Sequence, residues 1–370
     1  MHVPSPSGPP APRRARPAHA ASLAALGLLL LALGTPALRA DDVPPAPAPV
    51  PAPAPAPPSA TAPAPAATPD PLLVGTFPIT PETVVDGDTL RVPGQPSIRI
   101  VGLDCEEVFH RDRDREAAKA DFKAYARDKR GDSPMPVKFG TPAGEAARAF
   151  ASQLLAGASA LRVERDGLQG PDHDIYDRLL GHVVVIKPQG ELHFALELVR
   201  AGHSPYFVKY GRARRMDAEF RAAEAEARTA RRGIWASDGP PHYPDYDERL
   251  AWWQARARQV DGWRAAPDAP ERIELGTHEA TRRLAQRQGQ PVVLFGSVGR
   301  LRLDEFPFIV FLAHKKGEDL PVVIRDRKVL EAIDPLKLSH GYVVVKGTLT
   351  SYRGKPQVEV AEAAQVTSAP

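Results

Sequence analysis

The chain has 370 residues, 43% of them apolar, enough to bury the cores of two domains and to carry a linker as well. Its 48 lysines and arginines stand against 45 acidic residues, and a net charge of +3 excludes any argument for a nucleic-acid partner from bulk charge, so every electrostatic case is local. A single cysteine, Cys105, excludes an intrachain disulfide.

At the N-terminus, Arg13, Arg14 and Arg16 precede an apolar run from Ser22 to Gly34 that is too short to span a bilayer, and the small residue Ala40 follows. This pattern predicts a signal peptide over residues 1–40, cleaved near Ala40, and a secreted or periplasmic protein; a retained signal anchor is the alternative. Residues 41–71 hold much of the excess among the 41 prolines and are nearly pure Pro and Ala from Val43 onward. Proline fixes φ and lacks an amide donor, so an extended tether of roughly 90 Å is expected at about 3.1 Å per residue.

From 72 to 238 the pattern is strands first and helices later. TVVDGDTLRV and SIRIVGL alternate apolar and polar residues around a Pro-Gly-Gln-Pro turn, and ALRVERD, LLGHVVVIKP and ELHF add further strands. AGEAARAFASQLLAG, FALELVRAG and RMDAEFRAAEAEARTARRGIW carry helical spacing. A charged insertion over about 110–138 interrupts this plan and predicts one solvated helix, either a flap facing substrate or a surface elaboration. Residues 239–276 form a helical connector whose Trp252, Trp253 and Trp263 either stack on bases or pack the helix against a neighbouring domain. From 277 to 368 a short helix leads into five strands with one helix-like break at VLEAIDPLKL, the pattern of a small curved barrel. The fold class expected is mainly β with α.

The chemistry concentrates between Val84 and Glu107. Asp86, Asp88, Asp104 and Glu107 gather hard oxygens around Arg99, the equipment for a divalent cation beside a phosphate. Taken singly, Asp-Gly-Asp is a common turn and Arg99 a surface strand charge. Further on, Asp174-Ile175-Tyr176-Asp177-Arg178 places a second arginine beside a tyrosine.

These segments, in order and together with Leu198–Gly202 and Gly233–Trp235, resemble the staphylococcal-nuclease (thermonuclease) family over about Leu72 to Ser237. The resemblance implies an OB-fold-type five-stranded barrel with three helices, Ca²⁺-dependent hydrolysis of DNA and RNA, and products ending in a 3′-phosphate. It implies that Asp88, Asp104 and the backbone carbonyl of Cys105 bind Ca²⁺, that Glu107 orients or deprotonates the attacking water, and that Arg99 and Arg178 hold the scissile phosphate. Tyr176 and Tyr210 would pack on the nucleotide, while Asp86 organises the turn. Arg99→Ala is then expected to lose activity with the fold intact.

Three positions depart from the family pattern. Cys105 stands where the family has threonine, Glu106 where it has proline, and Asp177 where it has glycine. Glu106 adds a negative charge beside the metal, and Asp177 puts a carboxylate next to Arg178. The C-terminal strands resemble a nucleic-acid-binding OB-fold through the hairpin VVVKGTLTSYRGKPQVEV. The leading expectation is an exported monomeric nuclease acting on DNA or RNA. The alternative is a non-catalytic nucleic-acid-binding protein built from two OB-type barrels. A protein-interaction role for the last domain stays open because Lys315, Lys316, Arg325, Arg327 and Lys328 are offset by acids.

Overall fold

A computed structural model describes residues 70–168, 173–174, 176–315, 317–339 and 341–369. The expected signal peptide and nearly all of the Pro/Ala linker, residues 1–69, lie outside the described residues, as does Ile175 of the second arginine motif. Among the described residues no helix is long and apolar enough to cross a membrane.

The first sheet contains β1 (Leu73–Phe77), β2 (Thr89–Leu90), β3 (Ile98–Ile100), β4 (Ala160–Glu164), β5 (Leu179–Lys187) and β6 (Gly190–His193). Its order is β1-β4-β5-β3-β2, with β6 paired to β5. β5 reads as a nearly continuous β-branched run because it lies between β4 and β3, and Val183 and Val185 are fully buried. The unanticipated strand is β1, five residues without a clear alternation. TVVDGDTLRV, which reads as one strand, is strand only at Thr89–Leu90, because the acidic turn occupies its middle. The β3–β5 pairing is parallel, with Arg99 opposite Leu180 and the Leu179 N–H donating to the Ser97 carbonyl at 2.9 Å. That register sets Arg178 beside the start of β3, at the end of the sheet where Arg99 stands.

The charged insertion forms two helices, α1 (Asp112–Ala120) and α2 (Phe122–Arg130), where one solvated helix was expected. Asp121 breaks the run and caps α2 by accepting the Ala124 N–H at 3.0 Å. Ala118, Tyr125 and Ala126 are buried with Phe109, Phe139, Tyr243 and Tyr246 in a small core of their own. The aromatics inside the charged run are what dock it. The helices α3 (Pro142–Leu155), α4 (Phe194–Arg200) and α5 (Asp217–Thr229) cover the first sheet, α3 starting at Thr141, whose hydroxyl accepts the Gly144 N–H at 3.0 Å.

The connector carries α6 (Tyr246–Ala265), which is apolar at intervals all round. Tyr246 joins the insertion's core, Trp253 and Ala257 enter the core of the first sheet, and Val260 and Trp263 pack against Phe295. Trp253 and Trp263 are therefore packing residues, while Trp252 is half-buried beneath the Lys209 ammonium, 4.2 Å from its ring centroid.

The second sheet has β7 (Arg272–Glu274), β8 (Pro291–Arg302), β9 (Phe308–Leu312), β10 (Leu320–Ile324), β11 (Tyr342–Tyr352), β12 (Lys355–Val360) and β13 (Val366–Ser368). Five of them close into a ring, β8-β9-β10-β12-β11, with β11 pairing back onto β8, while β7 and β13 add at its margins. β7 falls in the stretch read as connector. The helix-like break is divided into α8 (Arg327–Ile333) and α9 (Pro335–Leu338) at Asp334, whose φ of 48° is left-handed; α7 (His278–Gln286) precedes β8. Matching β8, β9, β10, β11 and β12 to β1, β2, β3, β4 and β5 gives the same neighbour order in both sheets, with β10–β12 parallel as β3–β5 is.

Candidate active site

The turn before β2 is built by its own side chains. Asp86 Oδ1 accepts the Asp88 N–H at 3.0 Å, closing the turn as an Asp does when its carboxylate bonds two residues on. Gly87 is required there, since a Cβ at that position would lie 2.5 Å from Cys105 Sγ. Asp88 then accepts the Thr89 hydroxyl through Oδ1 and the Cys105 N–H through Oδ2, each at 3.0 Å, while the Asp104 N–H donates to Ser204 Oγ at 3.0 Å. Thr89 pairs with Arg99 across β2 and β3.

Arg99 is buried between two carboxylates. Its Nη2 donates to Asp104 Oδ1 at 2.5 Å, and its Nη1 lies 2.5 Å from Asp88 Oδ2 as an ion pair without hydrogen-bond alignment. Burial opposes the guanidinium's charge, but Asp88 and Asp104 outweigh it and hold its pKa above the ordinary value. Lys138, from the end of the insertion, adds a second cation: Nζ is 2.9 Å from Asp104 Oδ1 and 3.1 Å from Glu107 Oε1. Burial works to raise the pKa of Asp104, yet the charges of Lys138 and Arg99 hold it below the usual carboxylate range. Burial, with the charge of Asp88 next, pushes Asp86 up to about 6.

The donor chemistry suits Ca²⁺. Asp86, Asp88, Asp104 and Glu107 offer hard oxygens and outnumber Arg99 and Lys138. As the side chains stand, the carboxylates turn toward Arg99 and Lys138, and among the described residues no three His, Cys, Asp or Glu groups converge on one point. Cys105 is a buried thiol; burial first, then Asp88 and Asp86, raises its pKa well above the ordinary value. That leaves its carbonyl as the group with which it would serve a cation.

Glu106 does not add its charge to this cluster. It turns into the protein, accepting the Thr141 hydroxyl at 2.5 Å, the Tyr243 N–H at 2.8 Å and the Tyr246 hydroxyl at 2.7 Å. Burial raises its pKa, and two of its three donors, Tyr243 and Tyr246, tie the connector to the segment that follows β3. Asp177 does not pair with Arg178 either. It holds the left-handed backbone, φ 65°, that glycine supplies in the family, and Asp tolerates this conformation better than most residues. The carboxylate on Arg178 is Asp174, with Nε at 2.7 Å and Nη2 at 2.6 Å from Oδ2.

Arg99, Arg178, Tyr176 and Tyr210 line one cavity of about 290 Å³. Tyr176 and Tyr210 are 63% and 58% exposed, so each offers ring surface at its margin. Asp88, Asp104 and Glu107 are not part of that lining: Asp88 and Asp104 hold the Arg99 guanidinium, and Glu107 pairs with Lys138. The expected site residues therefore form two groups, an acidic cluster and a basic-aromatic cavity, which meet at Arg99. Lys138, Lys209 and Phe207 were missed. Phe207 lies under the Arg99 guanidinium, 5.5 Å from its ring centroid, and burial followed by the charge of Arg256 brings Lys209 down to about 8. No spacing marked them; the aromatic-basic run Tyr206-Phe207-Val208-Lys209-Tyr210 was the available signal.

Residues 97–237 match the family described as staphylococcal nuclease homologue. The matched span contains Arg99, Asp104, Glu107, Arg178 and Tyr210, and begins after the turn that carries Asp88. No curated protein matches the chain. With the two arginines meeting at one cavity and the matched span enclosing that cavity's nuclease-side wall, the chain carries, over residues 97–237, a domain of the staphylococcal nuclease homologue family, a family of nuclease-type phosphodiesterases.

Proposed function

We propose that the protein is an exported, Ca²⁺-dependent, monomeric nuclease that hydrolyses phosphodiester bonds of DNA or RNA and leaves 3′-phosphate ends. The observation that carries this reading is the placement of Arg99, which touches Asp88 and Asp104 and also lines the cavity that Arg178 lines. A phosphodiester entering the cavity meets two guanidinium groups, whose paired donors suit non-bridging phosphate oxygens and stabilise the charge that gathers as phosphorus becomes five-coordinate. Asp174 holds Arg178 at two nitrogens and so limits its rotation. Glu107 has a partly exposed side chain and accepts the proton of the attacking water. Asp88, Asp104 and the Cys105 carbonyl would hold Ca²⁺, which when bound neutralises charge on the phosphate. Tyr176 and Tyr210 stack on the flanking nucleotide.

Cleavage of single-stranded DNA, duplex DNA and RNA by purified protein with Ca²⁺ tests this, with product ends mapped on a defined oligonucleotide. Absence of cleavage on all three substrates overturns it. The second reading, nucleic-acid binding without catalysis by both barrels, is favoured by one observation: Arg99 and Lys138 already neutralise Asp104. Binding with no cleavage at any Ca²⁺ concentration would select it.

A further inference from the structure

The cavity beside Arg99 and Arg178 is not made by the nuclease-family span alone. Its far wall comes from the C-terminal barrel, where Thr277, Ser297, Ala313 and Tyr342 face the same space. Polar contacts hold that wall in place. The Arg256 guanidinium on α6 donates to the Lys209 carbonyl on the nuclease side and to the Gly341 carbonyl on the C-terminal side, both at 3.2 Å. Gln259 accepts the Tyr342 N–H and donates to the Ala369 carbonyl, each at 3.0 Å. The Tyr342 ring is clamped between Phe295, stacked at 4.6 Å, and the Arg256 guanidinium at 4.2 Å. Held by these two groups, Tyr342 serves as a fixed wall.

We propose that this wall makes the protein selective for single-stranded nucleic acid, admitting one strand with one nucleotide seated between the first sheet and the C-terminal barrel. The proposal deepens the nuclease reading and rests on it for the identity of the substrate. About 290 Å³ falls just below the roughly 300–1,000 Å³ of pockets that enclose one small ligand, space for a nucleotide and not for a base pair. In a duplex each phosphodiester is accompanied by the partner strand, which the C-terminal wall would meet. A single strand can turn its base onto exposed Tyr176 or Tyr210 while its phosphate faces Arg99 and Arg178.

The test uses the full-length protein and two variants that fill the cavity from the second barrel, Ser297→Phe and Ala313→Phe, each checked by thermal unfolding. Cleavage with Ca²⁺ and fluorescence-anisotropy binding without it are measured on a labelled single-stranded oligonucleotide, the same strand in a blunt duplex, and that duplex with a single-stranded tail. The expected result is at least tenfold preference for the single strand and the tail, and at least tenfold loss on these in a variant that unfolds at the wild-type temperature. Equal action on the blunt duplex, or both folded variants matching wild type, overturns the proposal. Should nothing be cleaved while binding keeps the strand preference and the variants lose it, the enzyme reading fails and the wall stands.

Discussion

The Lys138 ammonium lies 2.9 Å from Asp104 Oδ1, and the segment that carries it is clamped on both sides. The Tyr243 hydroxyl accepts the Phe139 N–H at 3.1 Å and donates to the Phe139 carbonyl at 2.9 Å, while Arg249 donates to the Val137 carbonyl. Insertion and connector together thus deliver a cation to the acidic cluster. A metal ion drawing on Asp104 and Glu107 must displace it, and a charge-assisted bond is worth roughly 1.5–3 kcal/mol. Lys138→Met is expected to bind Ca²⁺ about tenfold or more tightly, since 1.4 kcal/mol is a factor of ten. Calorimetric titration with Ca²⁺ measures this, and unchanged or weaker affinity refutes it.

Arg99→Ala should lower kcat/KM by about 10²–10³-fold, the scale for losing one charge-stabilising donor group. Its burial between Asp88 and Asp104 adds a stability cost of about 3–5 kcal/mol, because two buried carboxylates lose their partner. The expectation of an intact fold is therefore replaced by a destabilised one. Urea titration of Arg99→Ala beside the double variant Arg99→Ala/Asp88→Asn checks it: the second substitution should recover part of the loss.

Arg178→Ala is expected to lose about 10²-fold in kcat with little change in unfolding temperature, because its contacts are confined to a half-exposed turn. Asp174→Ala should lose less, about tenfold, by freeing the guanidinium. Steady-state kinetics on both decide it, and wild-type kcat in Asp174→Ala would remove Asp174 as a positioning residue.

His193 gives a pH signature remote from the site. Burial, then the charge of His182, brings it down to about 3 from 6.5; its Nε2 is 3.1 Å from His182 Nδ1, and His182 Nε2 is 2.8 Å from Asp166. Between these two pKa values the unfolded chain binds a proton that the folded chain refuses, so stability should fall as pH drops from about 6.5 towards 3. Denaturation at a series of pH values should show a shallower decline for His193→Gln, and identical slopes would dismiss His193 as the cause.

Tyr246→Phe removes one of three donors from buried Glu106 and should cost about 1.5–3 kcal/mol. Equilibrium unfolding reads the difference, and a change below about 0.5 kcal/mol, the range of ordinary surface substitutions, would refute it.

Periodicity made most strands legible, and the ordered motifs made Asp88, Arg99, Asp104 and Arg178 legible. Hidden were contacts with no local code. Glu106 follows Asp104 by two residues, yet points to Thr141, Tyr243 and Tyr246, partners up to 140 positions away. Lys138 closes a charged run that reads as solvated until Tyr125 and Phe139 are seen to be buried. The cavity's second wall depends on how the two sheets meet across α6, a relationship no single segment encodes.

That helix also sets an order of events during synthesis. The span matching the nuclease family ends at residue 237, but Trp253 and Ala257 belong to the core of its sheet. When the last matched residue leaves the ribosome, the sheet still lacks an indole-sized plug, and it waits for at least twenty more residues, Ala257 being the last. A gene cut at the family boundary would leave the nascent sheet permanently in that unfinished state, with apolar surface exposed where the tryptophan belongs. Expression boundaries for this protein should therefore be drawn beyond α6.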